Sequence, residues 1–358
     1  MQSKLNSDEM ILIGNGVGMA INDKSYSLRH GAELAFKKLN ANEQKSIKNI
    51  VSDESFPNIN NIESSHDLAY LNLISMLAYR FLTNTKSSEN NKLYLKSEAL
   101  ENLAVSINKF IYMIADSFND IDLGGNKKLG IFFSNLEVFL KDRKENNIKV
   151  HIATTNYDDL FYKFLLDKKW MNPSSEKTFF TDGFNRGGKS GPLKFNPKDS
   201  PGCSQYLHLH GSSRFYSNFG SNVVRKFPKD NKQRSNKLFP EGIENEMVKF
   251  VPHIILSYFD FKNFQIITNN FLNYYFEQFK TLLPGLNKLY ILGYGGNDTH
   301  INNLLEEKLN KSCSVEIIVH NNGKTDNIDQ ANIWRGKFPE HNSVLVKSFD
   351  NILEYNFK

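Results

Sequence analysis

Two short apolar runs, near opposite ends of the chain, each leave through glycine into a polar stretch. Residues 10–14 read MILIG and continue as NGVGMAIN; residues 288–296 read KLYILGYGG and continue as NDTH. An apolar run of this length bounded by a glycine turn reads as a buried strand. A strand leaving through glycine into a helix is the building unit of a parallel sheet. Further strand-like runs lie between and beyond: IKVHIATT at 148–155, YLHLHG at 206–211, PHIILSY at 252–258, VEIIVH at 315–320 and SVLVKSF at 343–349. Helical spacing separates them. Leu68, Leu71, Ile74, Leu77 and Phe81 mark one amphipathic helix over 64–83, and Leu100, Leu103, Ile107, Phe110, Ile111 and Ile114 another over 97–117. A third runs over 129–139, and a Phe-rich one over 261–283.

The expected fold is therefore α/β, a Rossmann-like parallel sheet with a helical insertion lobe. We expect one domain over 1–358, a mostly helical insertion over 40–145 and loop-rich insertions over 172–250, where glycine, proline and basic residues gather. With 358 residues and 40% hydrophobic residues, a sizeable core can form. A net charge of +5 suits an anionic small ligand and does not by itself argue for nucleic acid. No apolar run reaches the roughly 18–20 residues that span a bilayer, and the N-terminus lacks a signal-peptide core. A cytoplasmic protein with no membrane contact is expected. Cys203 and Cys313 form no CxxC pair, so no zinc site or disulfide framework is expected.

Four places carry chemistry. At Gly14, Asn15 and Gly16 the backbone can turn tightly and aim N–H groups at a phosphate; a ligand-free turn fits as well. Thr154, Thr155, Asn156 and Asp158 sit where a strand ends, which is where ligands of α/β sheets bind. The same run also reads as a helix cap, Thr155 or Asn156 capping and Asp158 and Asp159 in the first turn. His208 and His210 share one strand face. No further Cys, His or acid at ligand spacing is evident in the sequence, so no metal is expected. His210, followed by Gly211, Ser212 and Ser213, is the better placed as a base, and either histidine also reads as a core residue. Gly293, Gly295, Gly296, Asn297 and Asp298 form a second phosphate- or ribose-binding turn, or a capped helix start.

In this order the four places resemble the sirtuin-like NAD-binding family. GNG at 14–16 stands for GAG, TTNYD at 154–158 for the Q-N-I-D type motif, and His210-Gly211-Ser212 for the catalytic H-G-S. The 293–298 turn resembles the late glycine turn, and VEIIVHNN at 315–322 the strand that approaches adenine and its ribose. The four-cysteine zinc module is missing, and so is the D-F-R signature, for which SYSLRHG with Arg29 is a poor substitute. The chain is thus closer to the divergent sirtuin-like branch of bacterial antiphage defence NADases. That resemblance implies hydrolysis of NAD to nicotinamide and ADP-ribose, with NAD as substrate and no metal. It implies Asn156 and His210 as catalytic residues. It implies NAD contacts at Gly14, Asn15, Gly16, Thr155, Asp158, Gly293, Gly295, Asn297, Asp298 and Asn321. A toxic NADase with no evident sensor needs control by a homo-oligomer, by the helical insertion or by a separate partner, such as a DNA-translocating ATPase or a nucleic-acid-guided sensor. Three rival readings are a non-catalytic NAD or ADP-ribose sensor, a lysine deacylase or ADP-ribosyltransferase (the missing zinc module counting against the deacylase), and a nucleic-acid binder using Arg225, Lys226, Lys229, Lys232, Arg234 and Lys237. The basic run also reads as a solvated loop.

Overall fold

The computed structural model describes residues 8–52, 55–57, 66–85, 94–119, 121, 125–171, 178–186, 193–196, 202–218, 223–226, 250–256, 259–321, 327–338, 341 and 343–357. Its centre is a seven-stranded parallel sheet. The strands are β1 (Asp8–Ile13), β2 (Val150–Thr154), β3 (Phe180–Thr181), β6 (Ser204–His208), β10 (Leu286–Leu292), β11 (Ser314–His320) and β12 (Val344–Phe349), in the order β12-β11-β10-β1-β2-β6-β3. The strands of both glycine turns and that of Thr154 lie side by side, β1 pairing with β10 on one edge and β2 on the other. The Rossmann-like reading of the sequence is correct.

The central strands are apolar on both faces because both faces are covered. Met10, Leu12, Ala153, Leu289 and Ile291 point to one side, toward α9 (Asn270–Leu282) and α10 (Thr299–Lys308). Ile11, Ile13, Ile152, Tyr290 and Leu292 point to the other, toward α6 (Lys127–Glu145) and α7 (Leu160–Asp167). The Phe-rich run expected as one helix breaks at Asn269, whose side chain caps α9 and separates it from α8 (Phe259–Thr268). The aromatic face of α9 (Phe271, Tyr275, Phe276, Phe279) is buried core.

A helical lobe sits over the carboxyl ends of β1 and β2. It comprises α2 (Leu28–Lys37), α3 (Ala41–Lys48), α4 (His66–Thr85) and α5 (Tyr94–Ser117), after the short α1 (Gly16–Ile21). Its core of Phe36, Leu68, Leu71, Phe110 and Ile114 is continuous with Tyr216 and Ile254 of a second sheet, and with Leu256 just past it.

That second sheet occupies part of the stretch read as loop. It is antiparallel, in the order β4-β5-β8-β7-β9, with β4 (Phe184–Arg186), β5 (Leu193–Phe195), β7 (Gly211–Asn218), β8 (Arg225–Lys226) and β9 (Phe250–Ile254). Short strands with polar residues give little periodicity to read. Helix α11 (Asn327–Lys337) went equally unread. Much of the basic run, residues 227–237, lies outside the described residues. Lys226 is only 1% exposed, so it is not available to meet a phosphate backbone.

The two sheets join at His210. YLHLHG is not one strand: β6 ends at His208, the chain turns, and β7 starts at Gly211. Leu209 N donates to Thr154 O of the parallel sheet (2.9 Å), and Ile255 N donates to His210 O (2.9 Å). Gly211 has φ +79°, and a Cβ there would lie 1.9 Å from His253 O. Only glycine fits this corner, which accounts for the Gly of the H-G-S run.

Candidate functional site

Strand order reverses between β1 and β10. From β1 the chain proceeds to β2 and beyond on one side, whereas β10 leads to β11 and β12 on the other. The crevice outside the carboxyl ends at such a switch point is where open α/β sheets bind ligands. A cavity of about 390 Å³ lies there, within the size range of small-ligand sites.

Its floor is made by the two glycine turns, which touch. Gly16 N donates to Gly293 O at 2.8 Å. A Cβ on Gly14 would lie 2.4 Å from Tyr294 Cα, and one on Gly16 2.6 Å from Gly293 O. These glycines are required by the backbones they meet, an account that needs no ligand. Gly16, Asn15, Gly293 and Gly295 line the cavity, and Gly14 stands just beneath it.

The wall after β2 is Thr155, Asn156, Tyr157 and Asp158. Thr155 and Asn156 do not cap a helix, but Asp158 does serve the start of the next one. Helix α7 begins only at Leu160, and its cap residue Asp159 makes no side-chain cap bond. Asp158 Oδ1 accepts from Leu160 N (2.9 Å), and the Asn156 side chain donates to Asp158. Asn156 is 5% exposed, and its Oδ1 has no hydrogen-bond partner among the described residues. Burial, above all, pushes the Asp158 carboxyl up to about 6, and neighbouring Asp159 adds to this.

Opposite stand His210, Asn297 and Asp298. His210 is 2% exposed, and Tyr157 stacks on its ring at 6.4 Å. Its Nε2 lies 3.2 Å from Nε2 of His300 and 3.9 Å from Oδ1 of Asp298. Asp298 occupies the cap position of α10, but its side chain makes no cap bond. Its Oδ1 accepts from Lys262 Nζ of α8 at 2.7 Å. Burial holds the His210 ring well below its usual basicity and brings His300 down to about 4. Burial raises Asp298, but His210 and Lys262 outweigh it and hold the carboxyl below its usual range.

The sequence showed no ligand-type neighbours for the His-x-His pair. Folding supplies two, at His210 only: His210, Asp298 and His300 bring ligand atoms within 4.8 Å of one another. The cation already against that carboxylate is the Lys262 ammonium. His208, by contrast, packs among Tyr206, Tyr162 and Phe215.

Phe118 and Leu28 of the helical lobe close the cavity from above. Arg29, next to Leu28, pairs with Glu33 at the surface. Asn321 follows β11 and hydrogen-bonds Asp350 (3.3 Å), away from the cavity lining. His300, Lys262 and Phe118 were missed from sequence. His300 lies in the quoted run NDTH, but nothing in its spacing distinguishes it from a helix residue.

A larger cavity, about 580 Å³, lies between α4, α5, β9 and α9. Its polar groups bond one another: Ser75 with Asn108 (2.6 Å), His253 with Asn269 (3.0 Å), and Asn72 with Leu256 O. It offers no unsatisfied group comparable to Asn156 Oδ1.

No described helix is long and apolar enough to cross a membrane. A family model described as SIR2-like domain matches residues 150–338, just over half of the chain. No curated protein matches.

Proposed function

The chain belongs to the SIR2-like domain family, and from that premise we propose that it hydrolyses NAD at the nicotinamide–ribose bond. The observation that carries this reading is Asn156, which lines one cavity with His210 and whose buried Oδ1 has no partner among the described residues. A buried unpaired acceptor costs roughly 1–3 kcal/mol unless something donates to it. A water molecule or a ribose hydroxyl meets that need.

In the proposed reaction the C1′–N bond breaks and its electron pair goes to the pyridinium nitrogen, giving neutral nicotinamide. The oxocarbenium-like ribose is captured by water, by analogy with glycoside chemistry. Asn156 orients that water or the ribose hydroxyls. His210 takes the proton released as the new C–O bond forms, giving ADP-ribose, and returns it to solvent. Asp158 contacts the nicotinamide amide. In its protonated form, which a pKa of about 6 makes accessible near neutrality, it can donate to the amide oxygen. In the cell such an activity depletes NAD, an antiphage effector function, with a second copy or a sensor partner as its control.

The test is nicotinamide release by Asn156→Ala, with NAD binding measured alongside. We expect release to fall by about 10²-fold or more while the unfolding midpoint stays near that of the parent. Release at the parental rate would remove Asn156 from the chemistry. A second reading is an NAD or ADP-ribose sensor. It is favoured by the engagement of His210 Nε2 with a protein group, and binding without release in the parent, under all activating conditions tried, would put it ahead.

A further inference from the structure

We propose that His300 is a positioning residue for the base: it donates its Nε2 proton to the Nε2 lone pair of His210, fixing the tautomer of that ring and holding it neutral until substrate displaces the contact. The inference rests on His210 being the base of the proposed hydrolysis.

The argument is one of proton counting. Two imidazole Nε2 atoms 3.2 Å apart share a single proton. The Thr155 backbone also lies against the His210 ring and favours its protonated form, as an acceptor does. A carbonyl only accepts, so a ring N–H of His210 points to it, and with Nε2 given over to His300 that nitrogen is Nδ1. A neutral His210 with its proton on Nδ1 has a bare Nε2. The shared proton therefore belongs to His300. The Nδ1 of His300 is buried and has no hydrogen-bond partner among the described residues, so nothing opposes this tautomer.

The groups facing His210 come from three elements. Thr155 and Tyr157 follow β2, Lys262 comes from α8, and Asp298 and His300 from the start of α10. Asp298, 3.9 Å from Nε2, favours the imidazolium. Lys262 and His300 oppose it. Lys262 is tied to Asp298 and compensates much of its charge, which leaves the His300 hydrogen bond as the adjustable contact. Donation to the bare nitrogen stabilises the neutral ring, so losing the donor must raise the basicity of His210. A general base is inactive when protonated, so the acid limb of kcat/KM must move to higher pH.

Two variants separate this from mere packing. His300→Phe keeps a ring against Phe276, which His300 meets at 5.3 Å between centroids, but removes the donor. His300→Gln keeps an N–H donor. Ring titrations of the free protein by ¹⁵N-detected NMR, with His210→Ala identifying the signal, report the pair without any turnover. The expected result is an upward shift of His210 by about one unit in His300→Phe, a hydrogen bond's worth, with His300→Gln close to the parent. The acid limb of nicotinamide release should move in parallel. An unshifted His210 in His300→Phe, or a Gln variant that behaves like Phe, overturns the inference even in an active enzyme. A shifted ring in a protein that releases no nicotinamide upholds the His300 contact and sinks the hydrolase reading instead.

Discussion

His208 and His210 stand two residues apart and face two different buried polar regions. Behind His208 lies a closed charge network. Arg214 of β7 pairs with Asp159 at 2.7 Å, and Lys226 of β8 bonds Asp182 and the Tyr162 hydroxyl. Both cations also lie over the Tyr162 ring, at 5.0 and 4.9 Å. These links fasten the antiparallel sheet to the parallel one. Around His210 the polar groups are also buried, but they border a cavity, and Asn156, which lines it, keeps an acceptor without a partner among the described residues; the ring nitrogens of His208 are equally unpartnered there but line neither cavity. Burial of charge alone thus does not mark a site; the open hydrogen-bonding position beside a cavity does.

The sharpest way to break the comparison is to open the closed network. Arg214→Met removes a fully buried cation and strands the Asp159 carboxylate. Such a loss costs roughly 3–5 kcal/mol, to be read from urea unfolding. A variant as stable as the parent would show that the network is not what joins the sheets.

Acid tests both regions at once. Burial holds His208 at about 3 and His253 and His300 at about 4, with His210 also depressed. Their folded values lie below the unfolded value near 6.5, so between pH 6.5 and about 4 the unfolded chain binds more protons and stability falls with pH. His253 and His300 each contribute a loss on the order of 3 kcal/mol across that window. Asp158 runs the other way. Its folded value of about 6 exceeds the unfolded 3.8, so its contribution to stability rises as pH falls from 6 to 4. One carboxyl does not offset four rings. Unfolding midpoints that fail to drop between pH 7 and 5 would show that the rings are not held neutral.

The smallest structural effect is the most diagnostic. His208→Ala empties a ring site in the core, at a cost on the order of 2 kcal/mol or more, with nicotinamide release by the folded fraction little changed. His210→Ala, beside an existing cavity, should cost less stability and lose release by about 10²–10⁴-fold. Equal losses of both properties in both variants would erase the distinction between the two regions.

How much of this was legible follows from the same contrast. The strands of the parallel sheet were readable because apolar residues fill both faces, so β1, β2, β10 and β11 stand out as unbroken runs. Of the antiparallel sheet only β9 was, within the apolar run PHIILSY; its other strands are short and carry Arg214, Lys226 and serines inward, stabilised by partners distant in sequence. At the site, Asn156 and His210 were readable as polar residues at strand ends. His300 and Lys262 were not: each is a polar residue on an ordinary helix until the fold brings α8 and α10 against His210. The glycine turns were found for an incomplete reason. Gly14 and Gly16 admit the opposite turn before they admit any phosphate.

That contact between turns also sets a schedule. The cavity floor is half Asn15 and Gly16 and half Gly293 and Gly295, so a ribosome must have passed residue 295 before the floor exists. Domains begin to fold from the N-terminal side as they emerge, yet here β1 waits for β10, and long-range pairings of this kind form slowly. A nascent chain short of that point lacks the proposed substrate site. For a protein proposed to consume NAD, translation itself delays the hazard, and a chain truncated before residue 293 would be harmless whatever it retained of Asn156 and His210.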